Sequence, residues 1–444
     1  MCWPAIWNGF PFLYSGDSIS YLASGKVVAR ALALREFSAY YGDRSLIYSL
    51  GILPFHWNTS AWPIVGLNAL LTAYVIWLVV RSLLPHRTVR AYLALSVPLC
   101  TLTNLGWFVG IIMPDILGPI LYLSFYLLAF FGDKISRTER VALIVVSWWA
   151  VMSHASHLII AAGLVVLITF VFILQRQSRH QWGHIIRKLA AILLAAILTQ
   201  LLLYTYLIGE PRLHGNQYPF LMARVLTDDP GRWYLERRCE KPDLLICEHV
   251  HELPDSPANF LWDDSGIWQL SSPSKRERLH AEEIQVVLGT IAMYPWEQIR
   301  VSTSHFLRQI KTFGLSEHAR TSNWVLENVD NVLPGARSSY MDSRQMQKTL
   351  HERLFTLVET LTVTISLLVV VVSMTMLRQR WSHHLIALAS VVAFVMLANA
   401  AVTGILSQVA PRYQGRVIWL LPLLAGLLIL SQQARFMYRT KSLI

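Results

Sequence analysis

Apolar residues gather in blocks along this chain, at 61–83, 91–112, 114–132, 140–153, 157–175, 186–208, 354–377, 383–407 and 416–433. Blocks of about 18 to 25 apolar residues are long enough, as helices, to cross a ~30 Å hydrocarbon layer. The block at 140–153 is shorter, so it reads as tilted, re-entrant or fused to its neighbour. The first 14 residues, rich in Trp, Phe and Pro, read as the outer end of an initial span that begins further upstream. The pattern predicts an all-α polytopic membrane protein with about ten transmembrane helices. Between the blocks at 186–208 and 354–377 the chain turns polar, Pro-bearing and aromatic. That divides it into an N-terminal transmembrane module (1–208), an extracytoplasmic domain (209–350) and a C-terminal transmembrane module (351–444) holding the last three spans.

Within the polar parts the periodicity is helical. Residues 18–36 interleave apolar positions with Lys26, Arg30 and Arg35, the pattern of an amphipathic helix on a membrane surface. Ala281–Tyr294 and Trp296–Phe313 read as further helices. Little strand alternation is present, and no internal repeat or low-complexity tract.

Composition supports this reading. Of the 444 residues 54% are hydrophobic and 15% are charged, against about 25% charged in ordinary soluble domains. A disordered chain, a disulfide-stapled secreted domain and an ordinary cytosolic enzyme are all excluded. The formal net charge of +11 suggests nucleic acid until its placement is considered. Arg81, Arg87 and Arg90 flank one connection; Lys134, Arg137 and Arg140 the next but one; Arg176, Arg179, Arg187 and Lys188 the one after. Arg378 and Arg380, then Arg435, Arg439 and Lys441, continue the series. Every second connection is basic, and basic loops face the cytoplasm. The excess therefore sets orientation in a lipid bilayer, and no nucleic-acid partner is implied. The same orientation puts outside a first loop at 15–60, the turns Met113–Asp115 and Ser153–His157, the 209–350 domain and the 408–416 connection.

The outer face then holds the candidate chemistry. Asp17, in Ser-Gly-Asp-Ser, is either a helix cap or a carboxylate at the membrane boundary able to act as a general base. Asp115 follows Pro114 and suits the first turn of a helix, yet it also places a second acid at the outer face. Two converging acids could share acid–base or metal duties. His154 and His157 share a helical face but lack a third local ligand, so cavity-lining hydrogen bonders are favoured over zinc ligands. Arg412 and Arg416 break the charge alternation, and guanidinium groups suit phosphate oxygens. Together they point to a phosphate-bearing lipid substrate. Arg44, near Tyr48, either pairs with Asp43 or another acid or contacts a phosphate. Asp263 and Asp264 read as a solvated loop. Cys2 and Cys100 read as small hydrophobes, whereas Cys239 and Cys247, on the oxidising side, are expected to form a disulfide.

This layout resembles the GT-C superfamily of integral-membrane glycosyltransferases, which use polyprenyl-phosphate-linked sugars. The resemblance rests on the first-loop acid in Gly-Asp-Ser-Ile-Ser-Tyr (16–21), the surface helix after it, a second acid at the next outer turn, many spans and a late outer domain. Pro411-Arg412-Tyr413 is similar to a Pro-Arg-Tyr element in several members, including enzymes resembling lipid A aminoarabinose transferases and protein mannosyltransferases. The resemblance implies inverting transfer from a polyprenyl-phosphate sugar to a glycan, lipid or protein acceptor, at the periplasmic face of a bacterial inner membrane. Asp17 and Asp115 would be catalytic, and Arg412, Arg416 and Arg44 would hold the donor phosphate. Tyr21, Tyr48, His154, His157 and Tyr413 would line the substrate cavity. No cofactor is assigned, although a divalent metal is compatible with the two acids.

Two other readings compete. An enzyme like an O-antigen ligase or polymerase would keep its main Arg and His residues in the large outer loop. A transporter or flippase of lipid-linked glycans would bury ionisable residues at mid-membrane, often with inverted repeats.

Overall fold

The computed structural model describes residues 1–37, 44–176, 179–213, 218–240, 243–377 and 381–441. Asp43, Arg378 and Arg380 lie outside these residues, as do the side chains of Arg179, Arg435, Arg439 and Lys441. The described residues are almost entirely helical, with one isolated bridge, between Phe12 and Ile111.

The helices run α1 (Trp3–Asn8), α2 (Ser15–Leu34), α3 (Leu46–His56), α4 (Trp62–Leu83), α5 (Thr88–Leu102), α6 (Leu105–Gly110), α7 (Leu117–Phe130), α8 (Arg137–Ser153), α9 (Ala155–Leu174) and α10 (Arg179–Ile208). Next come α11 (Phe220–Leu226), α12 (Asp229–Arg238), α13 (Pro257–Trp262), α14 (Ile267–Leu270), α15 (Pro273–Met293) and α16 (Pro295–Lys311). The series ends with α17 (Asn323–Val332), α18 (Arg337–Met341), α19 (Glu352–Leu377), α20 (His383–Leu406), α21 (Pro411–Ile418) and α22 (Leu420–Lys441). The chain divides into two compact units. The first holds Met1–Gly215, Gly314–Met396 and Gly415–Ile444, and the second holds Asn216–Phe313 with Leu397–Gln414. The 209–350 segment is thus split, because α17 and α18 pack with the first unit.

Among the described residues six stretches are long and apolar enough to cross a membrane: Trp62–Leu83, Ala155–Leu174, Trp182–Ile208, Glu352–Met376, His383–Leu406 and Pro411–Gln433. This is an integral membrane protein by its helices. Three blocks expected as spans form shorter helices, α5, α7 and α8, of 15, 14 and 17 residues. In the first case the helix stops at Thr103, whose backbone is extended and whose hydroxyl bonds back to the Leu99 carbonyl. Asn104 then begins α6. The start of α8 is fixed by a capping box, Ser136 with Glu139, which satisfies otherwise orphaned amide groups. Glu139 also takes a bidentate bond from Arg81, at 2.8 Å for each contact, tying α8 to the last turn of α4.

Helix α2 begins three residues before and ends two residues before the expected 18–36. Its N-cap is Tyr14, so Asp17 lies inside the first turn and is not the cap. Lys26 and Arg30 are exposed, and the other side of the helix is buried against α3 and α17. Gly25 permits the closest approach. A Cβ there would stand 2.5 Å from the Ser49 carbonyl oxygen, so a larger residue would push α2 off α3.

The backbone around the first loop is held by a lock of three segments. Phe12 donates to the Gly110 carbonyl and accepts from the Ile112 amide, each at 3.0 Å. Buried Gln345 closes the lock: its side chain accepts from the Leu13 amide at 3.2 Å and donates to the Leu13 and His318 carbonyls at 2.8 Å. Asn8 joins through its side-chain oxygen, which accepts from the Gln345 amide. These groups are buried, so each bond replaces one that water would otherwise make.

The second unit has its own core, which includes Met222, Leu226, Leu235, Ile246, Phe260, Leu279 and Val286. Two consecutive acids of α15 serve its backbone. Glu282 accepts from the Leu245 and Ile246 amides, and Glu283 from those of Leu221 and Met222. The second pair caps α11, whose own N-cap is Pro219 with no side-chain cap. Buried Arg224 binds both oxygens of Asp228, at 2.8 and 2.9 Å, and His305 reaches the same carboxylate at 2.9 Å. Cys239 and Cys247 form a disulfide.

Two stability outcomes follow from this packing. Gln345→Ala strands several backbone groups and is expected to destabilise the first unit by about 3 kcal/mol, read as a lower unfolding temperature in detergent. Cys239→Ser with Cys247→Ser releases a short loop and is expected to cost the second unit about 2.5 kcal/mol. Unchanged melting of its tryptophans would contradict that value.

Candidate functional site

Two of the first unit's carboxylate–guanidinium pairs, Asp17–Arg44 and Asp115–Arg416, are reached from opposite ends of the lock. Five residues beyond Phe12 lies Asp17, in the first turn of α2. Ser18 beside it donates to the Ile112 carbonyl at 2.9 Å, so the start of α2 is tied directly to the turn that carries Asp115. Asp17 bonds to Arg44, and the two side chains are 15% and 21% exposed. The pairing of Arg44 is therefore with Asp17.

Asp115 sits in a single 3-10 turn, Pro114–Ile116, ahead of α7 and is 1% exposed. Its Oδ1 lies 3.5 Å from Nη1 of Arg416, which is fully buried. The other end of that guanidinium donates to Ser156 Oγ at 2.9 Å. Ser156 in turn stands 2.8 Å from Nδ1 of His154, the N-cap of α9. The string Asp115–Arg416–Ser156–His154 thus joins α21, the 114–116 turn and the start of α9.

His157 follows one turn later. Its Nδ1 lies 2.8 Å from the Ala150 carbonyl, and its ring meets that of His154 at 5.3 Å. Its Nε2 faces Gly118, where a Cβ would come within 2.9 Å, so the glycine makes room for the imidazole. Tyr21 and Tyr48 belong to α2 and α3. Both are buried, and their rings meet edge-to-face at 4.8 Å. Tyr21 is one helical turn from Asp17, Tyr48 is four residues from Arg44, and Asp115 is near enough to act electrostatically on Tyr48.

Eight of the residues singled out from sequence, Asp17, Tyr21, Arg44, Tyr48, Asp115, His154, His157 and Arg416, therefore lie in one unit. Arg412 and Tyr413 belong to the second unit, although Arg412 and Arg416 share α21. Within it the Arg412 guanidinium packs over the Tyr413 ring at 5.2 Å, and the Tyr413 carbonyl accepts from Asn399 at 2.7 Å.

Asp115 faces a guanidinium, and among the described residues no three His, Cys, Asp or Glu side chains gather as a metal-binding group. Sequence reasoning passed over Ser156, which lay inside the Ser-His-Ala-Ser-His string. It also passed over Glu359, an acid within an apolar span and 1% exposed, whose Oε1 accepts from the Asn104 amide at 3.3 Å. An ionisable residue inside a span is a signal in its own right. No family model matches this chain, and no curated protein or solved structure is significantly similar to it.

The buried pair generates a stability test. Arg416→Met leaves Asp115 buried without its cation and is expected to cost about 3–5 kcal/mol, whereas Arg416→Met with Asp115→Leu should recover most of that loss. Unfolding in mixed micelles measures both, and equal stability of the two variants would show that the pair is not coupled.

Proposed function

We propose that the protein is a membrane glycosyltransferase of the GT-C kind, moving a sugar from a polyprenyl-phosphate donor to an acceptor at the periplasmic face of a bacterial inner membrane. On this reading the chain spans the bilayer about ten times, with the shorter helices completing the count. The observation that carries the proposal is the contrast between two acid–arginine pairs of one unit, Asp17–Arg44 partly open to solvent and Asp115–Arg416 sealed.

Only an accessible carboxylate can take a proton from a substrate, so Asp17 is the base and Asp115 a positioning residue. The acceptor hydroxyl oxygen attacks the anomeric carbon as its proton passes to Asp17. The bond from that carbon to the phosphate oxygen breaks, the configuration inverts and the polyprenyl phosphate leaves. Charge accumulates on the leaving phosphate, and Arg44, the accessible cation beside Asp17, is placed to offset it. Arg416, already engaged by Asp115 and Ser156, holds the 114–116 turn against α9.

A transport reading draws on one observation, the buried Glu359 inside α19. Vesicles containing the purified protein and a radiolabelled polyprenyl-phosphate sugar separate the two. Transfer of label to an acceptor, lowered about 10²-fold or more in Asp17→Asn, supports the transferase. Full transfer by Asp17→Asn removes the base assignment. Movement of intact labelled lipid between leaflets, lost in Glu359→Gln without any transfer, supports transport instead.

A further inference from the structure

A second feature of the first unit lies among the basic ends of its helices. The end of α7, the start of α8 and the lower part of α10 enclose a cavity of ≈ 140 Å³. One part of its lining is cationic, with Lys134, Arg140 and Lys188, and His184 beside them. Asp133 is the single carboxylate in the lining, so the fixed charge there is positive. Arg140 is held with its Nε buried and without a hydrogen-bond partner among the described residues. Glu139, next to it, is already engaged by Arg81.

The other part of the lining is apolar and includes Ile144, Leu189 and Ile192. Leu128 and Ala129 of α7 extend this apolar part. Lys188 and Ile192, one helical turn apart on α10, both line the cavity, so it passes from charge to hydrocarbon over about 6 Å.

A free anion would use only the cationic part, and a neutral lipid only the apolar part. A phosphodiester with acyl chains uses both, since basic pockets between membrane helices suit anionic head groups. We propose that this cavity is a binding site for one anionic phospholipid, with its phosphate among Lys134, Arg140 and Lys188 and its chains along α8 and α10. The site is independent of the sugar-transfer reading.

Native mass spectrometry of the delipidated full-length protein tests the site, using phosphatidylglycerol, phosphatidylcholine of the same chains, and inorganic phosphate as probes. One phosphatidylglycerol is expected to be retained at least tenfold more strongly than phosphatidylcholine. Lys134→Gln with Lys188→Gln should lower that retention to the phosphatidylcholine level. Ile192→Phe, which fills the apolar part and leaves the charges in place, should also reduce it. Thermal unfolding of each variant without added lipid confirms that it is folded. Equal retention of the two lipids, undiminished phosphatidylglycerol binding by both folded variants, or full displacement of the lipid by millimolar inorganic phosphate would each overturn the proposal.

Discussion

A guanidinium with no exposed surface must find partners inside the protein, and the arrangement around Arg416 follows from that requirement. Removing an ion from water costs several kcal/mol even after relaxation, and only close partners of opposite charge or good hydrogen-bonding capacity repay it. Asp115 and Ser156 supply these from positions 301 and 260 residues away in sequence. The demand of one side chain therefore fixes three segments together: the end of α21, the turn before α7 and the start of α9. Apolar packing alone would let such helices slide and rotate, since hydrophobic contact is not directional. The charge pair gives the packing a register.

The backbone lock acts on the same turn from the other side. Phe12 is bonded to residues 110 and 112, and Ser18 to the Ile112 carbonyl, so Asp17 cannot move independently of Asp115. Both acids share a support, yet their exposures differ. Asp115 is sealed against Arg416, each side chain 1% exposed, whereas Asp17 has a partner on a loop that keeps some contact with solvent.

Much of this was legible from the chain. The apolar blocks, a helix over much of 18–36, the acids at 17 and 115 and the two cysteines are all signalled locally, through periodicity, composition or the oddity of a charge near an apolar run. Partners were less legible. The sequence marks Arg44 as a cation that needs an anion, and in the fold it reaches Asp17, 27 residues earlier in the chain. Gln345 carries no local signal at all, since its role depends on three backbone segments that meet only in the fold. Arg412 and Arg416 look equivalent one turn apart. They separate because the boundary between the two compact units falls between them.

The placement of charge also explains why a net +11 is compatible with a hydrophobic core. Arg81 is neutralised by Glu139, Arg44 by Asp17 and Arg416 by Asp115, whereas half-buried Arg344 lies over the Trp7 ring and donates to the Trp7 carbonyl. Among the described residues, cations such as Lys134 and Lys188 are at exposed positions, where water can screen them at little cost. The Asp17–Arg44 pair is partly open, and the Asp115–Arg416 pair is sealed, so the same kind of interaction meets two environments within one unit.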